Sequence, residues 1–243
     1  MLPSAPLAEP SEETREGEWF VPKVGPRRFR LLVGLTFYPY TLMNVSYVVL
    51  GSMLTPGPVH WDRVSAMAAV YLLSTGVSAH SLDALAPNKP WGSVLSKRSL
   101  LLVSLLSLCI ALLIGGYYAV LFAPFLIPLG MLEIFFLFAY NLELFRGRFH
   151  TDPWFAFSWG GLPVLAGFVI QTNSLSFPAL AASLFGFSTA FAEINASRPY
   201  KALKKLGPVA LPETARFENI LKALVAGNLA ISLTLLAYRL VGH

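Results

Sequence analysis

The chain has 243 residues, of which 55% are hydrophobic and only 13% charged. Soluble domains carry roughly 25% charged residues, so a fully water-facing surface is excluded and lipid is implied as the solvent. A lone cysteine, Cys109, excludes an internal disulfide framework, and the net charge of +5 is explained below by its placement rather than by nucleic acid.

In chain order, Met1 to about Phe20 is polar and Pro/Glu-rich. It lacks the early apolar run of a cleaved signal and reads first as a mobile acidic tail, with a docking role as the alternative. Residues 1–30 are therefore set apart, as a polar, disordered segment, from a helical membrane domain over 31–243. A bilayer core of about 30 Å takes about 20 apolar residues in helix. Leu31–Leu54 is the first such stretch, Thr55–Pro58 breaks it, and Val64 to about Asp83 is the second. Pro87–Lys97 is a polar loop. Ser99–Tyr140, apolar almost throughout, would be roughly 60 Å long as one helix and must fold back. Gly115-Gly116 is the expected turn. That gives a third span to about Gly115 and a fourth from about Val120 to Asn141, with Pro124 and Pro128 as kink sites. Pro153–Gln171 is the fifth, Phe177 to about Ala192 the sixth, and Asn219 to about Val241 the last, after a basic loop over Arg198–Arg216. The expected fold is all-α, a polytopic transmembrane helical bundle of about seven spans.

Of the 18 lysines and arginines, all but Arg63 and Arg239 fall on one side of this arrangement. The positive-inside bias then puts the N-terminus in the cytoplasm and the C-terminus outside.

Ionisable residues within or at the ends of spans are costly unless paired or hydrated. His80 and Asp83, three apart, share a helix face at the cytoplasmic end of the second span. They are either partners around a metal ion or proton, or a polar helix end meeting water. Glu133, inside the fourth span, either makes a hydrogen bond in the bundle or lines a cavity. Tyr140 and Asn141 open a run through Glu143, Arg146, Arg148, His150 and Asp152; its arginines either bind an anionic head group or set topology. Glu193, Asn195 and Arg198 form the corresponding cluster after the sixth span. Tyr200–Leu206 reads as a short basic amphipathic helix on the membrane surface. Taken together, three loops on one side each place a carboxylate or imidazole beside Lys, Arg or Asn. That combination suits a metal-bridged phosphate or diphosphate whose apolar tail lies among the helices.

The loop Asp83-Ala-Leu-Ala-Pro-Asn88-Lys89-Pro90-Trp91 with Lys97 and Arg98, the run after Tyr140, and Trp159-Gly160-Gly-Leu-Pro163 resemble the UbiA superfamily of intramembrane prenyltransferases, in the same order along the chain. The resemblance covers roughly Arg30–Lys205. The family's first acidic motif would fall on Ala79, His80 and Asp83, with Pro87 where its last Asp belongs. The second would fall on Glu193, Asn195 and Ser197, keeping one carboxylate. The resemblance implies a polyprenyl diphosphate donor and a lipid or aromatic acceptor, with Mg²⁺ placed by Asp83 and Glu193, helped by His80. It further implies substrate contacts from Asn88, Lys89, Tyr140, Asn141, Arg148, Asn195, Arg198 and Lys201. The thinned carboxylate set leaves a second expectation open: a non-catalytic isoprenoid-binding or transport protein on the same scaffold. A membrane assembly subunit is a third, with no sequence feature of its own.

Overall fold

The computed structural model describes residues 15–85 and 95–242, which form helices and turns with no strand among them. Among the described residues ten α-helices follow one another: α1 Arg27–Thr36, α2 Tyr38–Met53, α3 Trp61–Tyr71, α4 His80–Asp83, α5 Lys97–Leu121, α6 Leu126–Asn141, α7 Asp152–Ala156, α8 Leu162–Thr172, α9 Phe177–Lys205 and α10 Leu211–Val241. Two π-helical segments, Leu72–Ala79 and Phe157–Gly161, join α3 to α4 and α7 to α8 without a break in the rod. Among the described residues four helical segments are long and apolar enough to cross a membrane: Lys97–Leu121, Asp152–Thr172, Phe177–Lys205 and Gly207–Val241. On α5 the stripe Leu102, Leu106 and Leu113 faces outward, mostly exposed. Such a surface suits contact with hydrocarbon.

α2 is the centre of the bundle. Met43, Tyr47 and Val48 are fully buried on it, as are Val164 and Val169 on the facing α8. The two helices touch through backbone. A Cβ on Gly51 would run into the carbonyl of Val164, and one on Gly167 into the carbonyl of Val48. Gly160 and Gly186 make the same close approach between the second π segment and α9. Small residues at such crossings let helices pack where no hydrophobic force drives them together.

Several chain-order expectations are revised. The stretch over Leu31–Leu54 is two helices, because Pro39 cannot donate to the Leu35 carbonyl and its ring crowds that turn; the chain bends at Phe37, which has a positive φ of 42°. The fold-back lies between Leu121 and Leu126, beyond Gly115-Gly116, which stay helical in α5. Pro124 sits in that turn. Pro128 occupies the first turn of α6, where a missing N–H costs nothing, so neither proline kinks a rod. Tyr200–Leu206 is not a separate surface helix: α9 continues through Pro199 to Lys205, and Tyr200 is buried.

The end of the presumed tail is also structured. Glu18, Phe20 and Val21 are buried. The Tyr200 hydroxyl donates to Glu18 at 3.0 Å, Lys204 pairs with the same carboxylate at 3.0 Å, and the Phe20 ring packs on Phe37 and Tyr40. A Trp-Phe-Val run beside an acid is apolar enough to dock once a basic helix end is offered.

Candidate functional site

The site grows from the two π segments. A π turn spoils the usual backbone ladder and recurs at functional positions. Here both turns are tied to α2 by one side chain: Asn44 Nδ2 donates to the Trp159 carbonyl at 2.6 Å, and Asn44 Oδ1 accepts from the Thr75 hydroxyl at 2.7 Å. The tie fixes both π segments against α2. Between α3, α5, α6 and α8 lies a cavity of about 600 Å³, within the size range of sites that engulf a small organic ligand.

Around its mouth runs a chain of aromatic rings. Phe37 lies 5.1 Å from His80, His80 5.8 Å from Trp159, and Trp159 is stacked on Phe155 at 5.5 Å. Phe155 meets Tyr140 at 5.7 Å, and Tyr140 stacks on His150 at 4.3 Å. All six rings line the cavity. The His150 imidazole is held by Nδ1 against the Tyr140 backbone carbonyl at 3.0 Å, and His80 Nε2 lies 3.5 Å from the Thr41 hydroxyl.

Charge converges on the same cavity, whose lining includes Asp83, Glu193, Arg198 and Lys201. Arg198 forms an ion pair with Asp152 at 2.6 Å. Lys201 Nζ stands over the Phe37 ring at 5.6 Å. Glu193 is buried, and its Oε2 has no hydrogen-bond partner among the described residues. A buried oxygen without a donor is costly and calls for a proton, a cation or a polar ligand. Below the mouth the walls turn apolar, with Leu108, Leu112, Leu129 and Ala166 among them. From Tyr140 down to Leu126, both on the wall, α6 rises about 20 Å.

Of the residues expected from sequence, His80, Asp83, Glu193, Tyr140, Asn141, Arg198 and Lys201 are brought to this one cavity. Asn88 and Lys89 lie outside the described residues. Arg148 and Asn195 are not among its lining residues. Arg148 is exposed, following the turn Phe145–Gly147, and Asn195 faces outward from α9 with its amide donating to the Phe191 carbonyl at 2.8 Å. The neighbours of Asn195 explain this: Glu193 and Ser197 face inward, and a residue midway between them on a helix points away. Sequence reasoning passed over Phe37, Phe155 and Asn44. Nothing separates a site-forming aromatic or a single buried amide from the rest of an apolar run until the helices are paired.

Among the described residues, no group of three His, Cys, Asp or Glu side chains converges as a metal site. Magnesium, however, commonly keeps several waters and is held by one or two carboxylates plus substrate phosphates. Asp83 and the underbonded Glu193, both on the cavity lining, are the carboxylates an ion there would draw on, and they do not make a cage built from protein alone. Comparison of the chain with protein-family models, with curated proteins and with solved structures finds no match.

Proposed function

We propose that the chain is an integral-membrane, UbiA-like prenyltransferase of about seven spans, which moves a polyprenyl group from a diphosphate donor to a lipid or aromatic acceptor. The N-terminus and the cavity mouth face the cytoplasm, on the side that carries most of the basic residues. One observation supports this reading: carboxylates, cations and an aromatic collar line the same cavity as a set of apolar side chains. An amphiphile with an anionic head and a hydrocarbon tail matches it in both polarity and length.

In this reading Arg198 and Lys201 bind the diphosphate and stabilise the charge that collects on it as the allylic C–O bond breaks. Magnesium brought with the diphosphate would be held by Asp83 and Glu193 and would neutralise charge on the phosphate oxygens. The rings of Trp159, Phe155 and Tyr140 offer negative faces to the positive charge developing on the prenyl carbon. Their packing also excludes water, which would otherwise capture the prenyl group.

The test uses purified protein, Mg²⁺, labelled geranylgeranyl diphosphate and a panel of lipid and aromatic acceptors. Metal-dependent transfer or diphosphate release is expected, reduced roughly tenfold or more in Lys201→Ala and Arg198→Ala, the scale of one charge-assisted hydrogen bond. The thinned carboxylate set, with Glu193 the one carboxylate of the second motif, supports a second reading, binding or transport of the prenyl lipid without chemistry. Binding that survives chelation and Asp83→Ala, with no turnover, would select it. No binding of the labelled lipid would sink both.

A further inference from the structure

A second polar point lies inside the chamber, away from the mouth. Glu133 on α6 lines the cavity, flanked on the wall by Leu129, Gly130, Ile134 and Leu137. Its Oε1 accepts a hydrogen bond from the Tyr71 hydroxyl of α3 at 2.7 Å. Among the described residues that is the carboxyl group's one hydrogen bond. Tyr71 is itself buried, while Glu133 keeps partial exposure. Glu133 lies seven positions before Tyr140 along unbroken helix, so the pair sits about 10 Å below the collar.

A cross-helix tie does not require this group. A serine, threonine or backbone carbonyl would accept from Tyr71 without placing an ionisable group at depth, where it costs several kcal/mol. What the carboxyl group adds is a second oxygen that the tie leaves over. Directly below it Gly130 removes a side chain, and a Cβ there would meet no atom within 4 Å. The chamber is therefore open beside the carboxyl group.

We infer that the chamber takes a chain bearing a hydroxyl group, which bonds to Glu133 and Tyr71 about 10 Å below the head-group site. A hydroxyl both donates and accepts, so it suits the carboxyl group in either protonation state. The inference rests on the prenyl-diphosphate reading for the head group, but not for the hydroxyl contact itself. The hydroxyl belongs either to the tail of the phosphorylated lipid or to a separate neutral lipid alcohol, and the two arms of the test distinguish these sources.

In the first arm, binding of geranyl diphosphate is compared with that of geranyl diphosphate hydroxylated at its tail end. In the second, dodecanol is compared with dodecyl chloride. Each pair is measured on the unaltered protein, Glu133→Leu, Glu133→Gln and Tyr71→Phe, with thermal melting of each variant alongside. The expected result is a roughly tenfold preference for the hydroxylated probe in at least one arm. That preference should vanish in Glu133→Leu, weaken in Tyr71→Phe and largely persist in Glu133→Gln, whose amide still donates and accepts. Equal binding within both pairs would overturn the inference, as would a preference that Glu133→Leu leaves intact. Geranyl diphosphate binding without a hydroxyl preference leaves the proposed function standing alone. Failure of both diphosphates to bind strikes the proposed function, and the alcohol arm then decides the hydroxyl contact by itself. Should Glu133→Leu fail to fold, the Tyr71→Phe and Glu133→Gln ratios make the same decision.

Discussion

Asn44 holds three helical segments with one amide, fully buried on α2 and bonded to both π turns. Replacing it with leucine would leave the Trp159 carbonyl and the Thr75 hydroxyl without this partner. Each such loss costs about 1–3 kcal/mol. Asn44→Leu should therefore lower the melting midpoint measured by circular dichroism and weaken geranylgeranyl diphosphate binding severalfold, with helix content unchanged at low temperature. A variant that melts and binds like the original would show that the π turns hold themselves. The residue scale also shows what sequence could and could not reveal. His80, Asp83, Glu133 and Glu193 stood out because charge is expensive in an apolar run, and all four line the cavity. Asn44 and Phe155 carry no such mark: a neutral amide and one more phenyl ring acquire meaning only from the helix opposite.

At the scale of elements, the apolar stretches were legible and their interruptions were not. A run of hydrophobic residues announces a helix through its length, but where it bends depends on details of local backbone chemistry. Pro39 bends the first stretch at Phe37. The glycines at 115 and 116 suggested a turn because glycine is permissive in backbone angles, yet their use here is spatial. Gly116 lies on the chamber wall, and a Cβ there would meet no atom within 4 Å. Gly116→Leu should fill part of the chamber while favouring the helix, since leucine outranks glycine in helix propensity by somewhat under 1 kcal/mol. The expected signature is a melting midpoint unchanged or raised, with binding of the long geranylgeranyl chain weakened more than that of the short geranyl chain. Equal weakening of both would mean that the tail does not run past α5.

At the scale of the whole molecule, the two ends of the bundle are chemically distinct. The cations gather at the end that carries the site. The two exceptions at the other end are absorbed by carbonyl groups: Arg63 donates to those of Ile170 and Gln171 near the end of α8, and Arg239 to those of Thr55 and Gly57 beyond α2. A cation at a helix C-terminus is favourable through the helix dipole, so these arginines have a structural use and need not weaken the charge bias. The proposed orientation is checked by labelling in intact cells. With Cys109 replaced by serine, Ser174→Cys should react with a membrane-impermeant maleimide directly, and Arg146→Cys only after permeabilisation. The reverse pattern would invert the molecule and move the mouth outside.

The bond from Tyr200 to Glu18 joins positions 182 residues apart. At ribosomal speeds of about 5–20 residues per second, the newborn Glu18 carboxylate waits roughly 10–40 seconds before its partners Tyr200 and Lys204 on α9 exist. Throughout that interval Phe37 also lacks the Lys201 cation that stands over its ring, so the rim of the chamber is among the last parts of the molecule to be finished.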